Sequence, residues 1–245
     1  LDKIRELFSI NKTNLNKIRD DEVFKKMSFD ELFMNYNSDK ASKFILNGKR
    51  TDGHNYSPFY EKYFQKYKNK ENLKILEIGS LRGAATASFF CYFKNPQIIC
   101  ADINPFQIQV FSKNIRSIYT NTQSVTILKN LSNYLNQEFD IIIDDGSHNI
   151  RDQIITFNEL FKILKKDGIY VIEDSSQYLS ALHLNPDNLK YGSKEILFSL
   201  KENNSNKTKY LSNEDQLIIS NTIGNIFLEK GNFVENKINI SEIIF

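Results

Sequence analysis

The chain has 245 residues, of which 40% are apolar and 25% are charged, and this composition excludes a disordered or fibrous protein. Its 32 basic and 30 acidic residues give a net charge of +2, well short of the basic excess of nucleic-acid-binding proteins, so we predict no nucleic-acid partner. No apolar run approaches the ~20 residues that span a bilayer, and the amino end lacks a secretory segment. We therefore expect no membrane insertion and a cytoplasmic location.

The amino-terminal third predicts helices separated by a polar loop. Residues 1–35 predict a helical cap, and residues 35–55, rich in Asn, Ser, Lys and Gly, predict a loop. The segment HNYSPFYEKYFQKYKN follows and predicts a helix with an aromatic face. The apolar positions at helical spacing in the cap are Ile4, Leu7, Phe8, Val23, Phe24 and Met27. We expect residues 1–70 to form a cap and a lid for substrate and cofactor, and residues 71–245 to form the main domain.

From Leu73 onward, short apolar runs alternate with segments of helix length, which is the βαβ pattern of a mostly parallel sheet. The predicted strands are 74–79, 97–102, 124–128, 139–144 and 168–173. The predicted helices are 84–93, 105–117, 131–136 and 151–165. Two apolar runs around Gly224 predict an antiparallel pair that closes the sheet. The predicted fold is a Rossmann-like, doubly wound α/β fold with a seven-stranded sheet.

A glycine motif follows the first of these strands. The sequence KILEIGSLRGAAT places Glu77, Gly79 and Gly83 between a strand and a helix, at the edge where open α/β sheets bind ligands. The spacing G-x-x-x-G differs from the G-x-G-x-x-G motif that holds a pyrophosphate, so a ligand without phosphates is favoured. S-adenosylmethionine is such a ligand, and a purely structural tight turn is the alternative.

The next strand ends at Asp102, where an acid can accept hydrogen bonds from both hydroxyls of a ribose. The alternative for Asp102 is an acid that accepts hydrogen bonds from nearby backbone amides. Gln123, before the next predicted strand, is placed near the edge of an adenine ring.

The segments FDIIIDDGSH and YVIEDSS place acids after two central strands. Asp145, Glu173 and Asp174 supply the hard oxygen ligands that Mg²⁺ or Mn²⁺ prefers, and clustered carboxylates require a neutralising cation. Such an ion would bind two substrate hydroxyls and lower the pKa of one, and His148 would accept its proton as a general base. Helix caps and turn residues are the alternative for the acids, and a structural or substrate-orienting role is the alternative for His148.

These motifs, in the order SDK, HNYSPFYEKYF, LEIGSLRG, ADI, IIIDDGSH and VIED, resemble class I S-adenosylmethionine-dependent methyltransferases. More narrowly, the chain resembles the sugar O-methyltransferases of the mycinamicin and macrocin type and their relatives in bacterial polysaccharide gene clusters. The resemblance implies Mg²⁺ on Asp145, Glu173 and Asp174, and catalysis by His148 with Asp145. The residues expected to contact the cofactor are Tyr56, Glu77, Gly79, Ser80, Gly83, Asp102, Ile103, Gln123 and Asp144.

The leading prediction is O-methylation of a hydroxyl on a sugar or glycan precursor of the capsule or polysaccharide type. The alternatives are a methyltransferase for another small diol-like or phosphorylated acceptor, and a module that binds the cofactor without catalysis. The sequence shows no D/N-P-P-Y/F motif after the fourth strand, which argues against methylation of amino groups. The sequence leaves open the oligomeric state, with a homo-oligomer as one option, and the roles of Lys40, His54 and His183.

Overall fold

The computed structural model describes residues 12–18, 21–202, 208–235, 238–239 and 241–245. Its α-helices are α1 (Glu22–Lys26), α2 (Phe29–Asn35), α3 (Ser57–Phe64), α4 (Ala84–Tyr92), α5 (Val125–Leu135), α6 (Ile150–Phe161), α7 (Ser193–Lys201) and α8 (Asn213–Thr222). Its strands are β1 (Thr13–Asn14), β2 (Lys43–Leu46), β3 (Lys49–Asp52), β4 (Lys74–Ile78), β5 (Gln97–Asp102), β6 (Val110–Phe111), β7 (Ile115–Tyr119), β8 (Phe139–Asp144), β9 (Leu164–Ile172), β10 (Leu228–Lys230), β11 (Val234–Glu235), β12 (Ile238–Asn239) and β13 (Glu242–Ile244). Among these helices, none is long and apolar enough to cross a bilayer.

The central sheet confirms the predicted fold class. Seven strands lie in the order β10-β13-β9-β8-β4-β5-β7. The five strands from β9 to β7 are parallel to one another, whereas β13 and β10 run antiparallel to their neighbours. Because the carboxyl ends of β4, β8 and β9 lie side by side, the residues that follow these strands meet at one edge of the sheet.

Both faces of the sheet are covered, as the apolar run of β8 predicts. All six residues of β8 are buried, and beyond the register irregularity between Phe139 and Ile141 successive side chains point to opposite faces. Ile141 and Ile143 pack into a cluster with α2, α3 and α4, whereas Phe139 and Ile142 pack into a second cluster with α5 to α8. The sheet therefore separates two hydrophobic cores.

The amino-terminal segment packs on the first of these cores. Helix α2 begins with a capping box of Ser28 and Glu31, and its Phe29 ring stacks on Tyr92 of α4 with the ring centroids 3.7 Å apart. The predicted aromatic helix is α3, and its Tyr60 and Phe64 are buried in the same core. The predicted helical positions Ile4, Leu7 and Phe8 lie outside the described residues.

The prediction of an uninterrupted loop over residues 35–55 is wrong, because this stretch contains the hairpin of β2 and β3. Asn47 and Gly48 form its two-residue turn, and both have positive φ angles, 51° and 75°. An Asn-Gly pair between two strands is the typical sequence of such a turn, since these residues adopt positive φ at low cost. The signal was present in the sequence.

The predicted helix 105–117 and strand 124–128 are also wrong. Strands β6 and β7 occupy residues 110–111 and 115–119, and helix α5 begins at Val125. The side chain of Ser124 caps α5 by accepting a hydrogen bond from the amide of Ile127, and Leu128 and Leu131 form its buried face. Strand β7 is only partly buried because it lies at the edge of the sheet, so its alternation is weak.

The antiparallel pair at the carboxyl end exists, although its predicted members are wrong. The first apolar run, before Gly224, is helix α8, which Ser212 caps at the amide of Asp215. The second run supplies β10, and its partner is the carboxyl-terminal strand β13. Acidic residues in the first turn of α8 favour the helix by interacting with its dipole.

Candidate active site at the carboxyl ends of the central strands

The predicted acids gather where β8 and β9 end. Asp144 ends β8 and lies opposite Ile172, which ends β9, so Asp145 follows one tip while Glu173 and Asp174 follow the other. The amide of Glu173 donates to the carbonyl of Asp144 at 3.0 Å, which ties the two tips together. The structure therefore brings together the three carboxylates that were predicted as a metal site.

A buried lysine lies between two of these acids. The Lys40 Nζ donates to Asp145 Oδ2 and to Glu173 Oε2, both at 2.6 Å, and Lys40 is 3% exposed. Its carbonyl accepts hydrogen bonds from the amide of Tyr56 at 2.8 Å and from the hydroxyl of Ser57 at 3.3 Å. Burial alone would lower the pKa of Lys40, but the charges of the two carboxylates outweigh it and hold that pKa well above its usual range.

Asp174 is held by a histidine and a tyrosine from the segment before α3. The hydroxyl of Tyr56 donates to Asp174 Oδ1 at 2.5 Å, and His54 Nδ1 lies 3.0 Å from the same oxygen. Burial would raise the pKa of Asp174, yet the hydrogen bond and charge of His54 lower it. The ring of His54 stacks on Phe233 with the centroids 5.0 Å apart, which fixes its orientation.

Glu173 is the most enclosed of the three acids. It is 1% exposed, and its Oε1 accepts a hydrogen bond from the hydroxyl of Tyr60, while its carbonyl accepts one from the side-chain amide of Gln153 at 3.0 Å. Burial and the nearby charge of Asp145 raise the pKa of Glu173 well above its usual range. Both carboxylate oxygens of Glu173 are thus engaged by groups of the protein.

His148 faces the same acids. Its Nε2 lies 3.8 Å from Asp145 Oδ1, and its buried Nδ1 has no hydrogen-bond partner among the described residues. Asp145, His148 and Asp174 each offer one ligand atom, and these atoms lie within 4.8 Å of one another. Two carboxylates and an imidazole fit a divalent cation such as Mn²⁺, and the carboxylates fit Mg²⁺. Glu173 belongs to the cluster, but its oxygens face Lys40 and Tyr60.

Glu77 lies on the neighbouring strand, on the side of the predicted cofactor. It is 1% exposed, and its Oε2 accepts a hydrogen bond from the hydroxyl of Thr86 on α4 at 2.5 Å. Burial raises the pKa of Glu77 to about 7, although the Thr86 hydrogen bond acts in the opposite direction. A cationic ligand near this carboxyl would favour its charged form.

The two glycines of the motif are required by the protein itself. Gly79 has a φ of 81°, and a Cβ atom there would lie 1.9 Å from the carbonyl oxygen of Asp145. Gly83 has a φ of 84° at the start of α4, and a Cβ atom there would lie 2.8 Å from Val110 and 2.9 Å from Ile108. Gly79 thereby joins the predicted cofactor turn directly to the backbone of the acid cluster.

Asp102 is engaged by neighbouring amides, as in the alternative weighed for it. Its Oδ2 accepts from the amide of Leu81 at 2.8 Å, and its Oδ1 accepts from the amide of Asn104 at 2.8 Å and from the side chain of Gln107 at 3.1 Å. A carboxylate has about four acceptor sites, so this arrangement fixes Asp102 and leaves capacity for a further donor.

The remaining predicted cofactor residues divide into two groups. Within the described residues, Ser80 Oγ and Asp144 Oδ2 are buried atoms without a hydrogen-bond partner. A bound ligand could supply the missing partner of each atom. Ile103 is 63% exposed, and Gln123 is exposed in the turn before α5. Tyr56 points into the acid cluster, where it binds Asp174.

Three further side chains belong to this cluster: the sequence left the roles of Lys40 and His54 open and gave Tyr60 no role in the site. Lys40, His54 and Tyr60 contact Asp145, Glu173 or Asp174, although 105 residues separate Lys40 from Asp145. The available signal was the proximity of the SDK and HNYSPFY motifs in the chain, since polar motifs with no role in a core are candidates for a site. Within this region His183 is exposed on a short 3₁₀ helix (Leu182–Leu184), outside the contacts described above.

Comparison with protein families gives a match over most of the chain. A family model described as a methyltransferase domain matches residues 69–231. Among curated proteins, the mycinamicin VI 2''-O-methyltransferase of Micromonospora griseorubida is 30% identical over 128 residues, which are 49% of this chain and 31% of the relative. The demethylmacrocin O-methyltransferase of Streptomyces fradiae is 30% identical over 129 residues, which are 49% of this chain and 32% of that relative. The chain thus spans about a third of the length of these relatives.

Comparison with solved structures supports the fold. The MycE methyltransferase of the mycinamycin biosynthetic pathway, in complex with Mg, SAH and mycinamycin VI, superposes with a TM-score of 0.62 at 21% identity. The similarity covers 90% of this chain and 54% of that structure. At this identity the likeness concerns the arrangement of helices and strands.

Proposed function

We propose that this chain, which belongs to the methyltransferase-domain family, transfers the methyl group of S-adenosylmethionine to a hydroxyl of a sugar. The observation that carries the proposal is the group of Asp145, His148 and Asp174, which lies at the strand tips beside the turn of Gly79. A base and two hard oxygen ligands next to a cofactor turn are what methylation of a weakly acidic hydroxyl requires.

The cofactor would lie along the carboxyl ends of β4 and β5. Glu77 is buried on β4, and its charged form would be stabilised by the cationic end of the cofactor. Asp102 is fixed by three hydrogen bonds and would accept one from a ribose hydroxyl. Ser80 Oγ, which is buried without a partner among the described residues, would bond to the same ligand.

A divalent cation, Mg²⁺ or Mn²⁺, would be held by Asp145, Glu173 and Asp174, which would leave His148 free as a base, and the cation would lower the pKa of a bound hydroxyl. Tyr56 and His54 orient Asp174 by bonding to one of its oxygens, so the other oxygen faces the site in a fixed direction. His148 accepts the proton of the acceptor hydroxyl at Nε2, which lies on the side of Asp145.

The amino-terminal residues complete this site. We propose that residues 1–70 act as a cap and lid on the catalytic domain of residues 71–245, because Lys40, His54 and Tyr56 all contact acids of the second part. These contacts close one side of the acid cluster against water, which strengthens the electrostatic interactions inside it.

The acceptor class is proposed from the names of the relatives. Two of them, from Streptomyces olivaceus, are named as O-methyltransferases of rhamnosyl tetracenomycin compounds, at 27% and 25% identity over 128 residues. These names support a sugar hydroxyl as the acceptor. From the sequence resemblance alone, we further propose a sugar or glycan precursor of the capsule or polysaccharide type.

The decisive experiment offers the purified protein S-adenosylmethionine, Mg²⁺ and a panel of nucleotide-linked sugars, with catechol and other small diols as competing acceptors. We expect a sugar product heavier by one methylene group, and loss of that product in EDTA with recovery when Mg²⁺ is returned. Methylated catechol in place of methylated sugar would overturn the acceptor class. Bound cofactor without product from any hydroxyl acceptor would identify a binding module instead of an enzyme.

A further inference from the structure

We infer that Lys40 is a positioning residue whose ammonium occupies the cation position between Asp145 and Glu173, so that a divalent ion reaches both carboxylates only by displacing it. The inference rests on the proposed function, because it assumes that the acid cluster binds a divalent ion. It assigns to Lys40 control over how readily the ion binds and over which acids hold it.

The first step is the geometry of Glu173. Its Oε2 is bound to the Lys40 ammonium at 2.6 Å, and its Oε1 accepts the hydroxyl of Tyr60. Each oxygen keeps a further acceptor site, but the ammonium occupies the space between Glu173 Oε2 and Asp145 Oδ2. An ion can therefore bind these two oxygens together only when Lys40 leaves. Tyr60 is fully buried and packed among Phe33, Phe64 and Phe89, whereas Lys40 ends in a flexible four-carbon chain.

The second step is the exclusion of two cations from one position. The ammonium contacts Asp145 Oδ2 and Glu173 Oε2 at 2.6 Å each, so it bridges the two acids as a metal ion would. Mg²⁺ binds oxygen at about 2.0–2.1 Å and therefore needs the same oxygens at closer range. A divalent ion and an ammonium in this position would repel each other strongly in a low-dielectric site.

The third step is that the displacement requires movement of the side chain alone. The backbone of Lys40 is fixed, since its carbonyl accepts hydrogen bonds from the amide of Tyr56 and the hydroxyl of Ser57. The charge of Asp39 raises the pKa of Lys40, and the charge of Lys40 acts to lower the pKa of Glu77. Both acids therefore lie close enough to interact with a displaced ammonium. The exchange would therefore move the lysine side chain and leave its backbone in place.

With Lys40 in place, the three ligand atoms that lie together belong to Asp145, His148 and Asp174. With Lys40 displaced, Glu173 would be available as a ligand, and His148 would be free to accept a proton as a base. The position of Lys40 would thereby determine whether the ion is bound through the imidazole or through three carboxylates.

The test is a titration of the full chain with Mn²⁺ alone, in which the free ion is measured by its electron paramagnetic resonance signal. We expect Lys40→Met to lower the Mn²⁺ dissociation constant by at least about tenfold, because the variant lacks the ammonium that competes for Asp145 Oδ2 and Glu173 Oε2, and two cations in one position repel each other at a cost of several kcal/mol. Lys70→Met is the matched control, because Lys70 binds the buried carboxylate of Asp140 at the opposite end of β8. The control should bind Mn²⁺ as the wild type does.

A second measurement uses the wild-type protein and does not depend on the stability of the variant. In protein labelled with ¹⁵N at lysine side chains, the buried Lys40 ammonium should give a slowly exchanging signal that disappears when Mg²⁺ saturates the site. Persistence of that signal with bound Mg²⁺ would overturn the inference, as would unchanged or weaker Mn²⁺ binding by Lys40→Met. Absence of Mn²⁺ binding in every form of the protein would also overturn the metal-dependent part of the proposed function, which separates the two failures.

Discussion

Strand β8 carries aspartates at both ends, and the two ends differ in how the protein treats them. Near the amino end, Asp140 is 2% exposed and accepts hydrogen bonds from Lys70 Nζ at 2.7 Å, Lys165 Nζ at 2.9 Å and the amide of Lys74 at 2.8 Å. Burial would raise the pKa of Asp140, but these hydrogen bonds lower it. This acid is charged, fully paired and structural.

At the carboxyl end of the same strand, Asp144 is equally buried but has one oxygen without a partner among the described residues. Burial raises its pKa to about 8. Asp145 follows with a pKa that burial also raises, although the charge of Lys40 counteracts the effect. Acids that are buried with raised pKa values are typical of functional sites, whereas fully paired acids are typical of structural ones.

The comparison teaches that a buried acid by itself does not identify a site. Both ends of β8 hold buried aspartates near lysines, and only the carboxyl end leaves polar atoms unpaired beside a histidine. Substitutions at the two ends should consequently affect different properties. Those at the carboxyl end should lower turnover, and those at the amino end should lower stability.

The largest effect is expected for His148→Ala, which removes the proposed base. Turnover in the sugar methylation assay should fall by about 10²–10⁴-fold, the range for a positioned general base, while cofactor binding measured by calorimetry stays unchanged. His183→Ala is the control, since His183 is exposed away from the acid cluster, and it should keep wild-type turnover. Full turnover by His148→Ala would exclude His148 as the base.

The pair Asp145→Asn and Asp140→Asn tests the comparison directly. Asp145→Asn should lower Mg²⁺-dependent turnover by at least about a hundredfold, because it removes the charge of a proposed metal ligand. Asp140→Asn should keep turnover but lower the free energy of unfolding by about 2–3 kcal/mol, through the loss of charge-assisted hydrogen bonds. Urea denaturation and the methylation assay on both variants check the two expectations. If Asp140→Asn lost turnover while remaining folded, the contrast between the two ends would be wrong.

The sequence predicted the strands of the sheet where their surroundings are uniform. The runs that became β4, β5, β8 and residues 169–172 of β9 are mostly apolar because both faces are covered, and such runs are recognisable without further context. The polar first half of β9 is not recognisable in this way, and the predicted strand begins only at residue 168. The edge strand β7 is half exposed, so the alternation of its apolar and polar residues is weak. The sequence therefore wrongly predicts a helix over residues 105–117. Burial by tertiary neighbours decides such segments, and local sequence does not encode it.

The acids of the site were predictable and their partners were not. Asp145 and Glu173 follow adjacent parallel strands, and the ends of such strands meet for topological reasons. Lys40 reaches them from a loop that lies 105 residues from Asp145 and 133 residues from Glu173 in the chain, and no periodicity fixes the path of that loop. The sequence consequently names Lys40 but leaves its role open, and only the structure shows that its ammonium pairs with Asp145 and Glu173.

A smaller effect is expected from the pH dependence of stability. The pKa of Glu77 is raised by burial from an ordinary value of 4.5 to about 7, so the folded state holds a proton that the unfolded state releases. Its contribution to stability is fully present below pH 4.5 and is lost as the pH rises towards 7. Glu77→Gln should remove this loss and be more stable than the wild type at pH 7 by roughly 1–3 kcal/mol, with little difference at pH 4.5.

Urea denaturation of Glu77→Gln and wild type across this pH range gives the measurement. Asp140 should act with the opposite sign, because its lowered pKa stabilises the fold above its ordinary value of 3.8 and the stabilisation disappears as the pH falls. A stability difference between Glu77→Gln and wild type that does not change with pH would show that Glu77 is charged in the folded protein.

The smallest effect is expected for Lys165→Met at the amino end of β8. Asp140 has two lysine partners, and the side chain of Lys165 is 31% exposed, so its loss should cost about 0.2–1 kcal/mol and less at high salt. Removing Lys70 as well leaves a buried carboxylate without a cation, so the double variant should lose more than the sum of the single losses. Denaturation at low and high salt measures both.

Simple additivity would mean that the two lysines act independently, whereas the expected excess would show that the amino end is stabilised by duplicated partners. Lys40 has no such duplicate in direct contact with Glu173 among the described residues, and under the proposed metal binding this difference would make the carboxyl end responsive to an added cation.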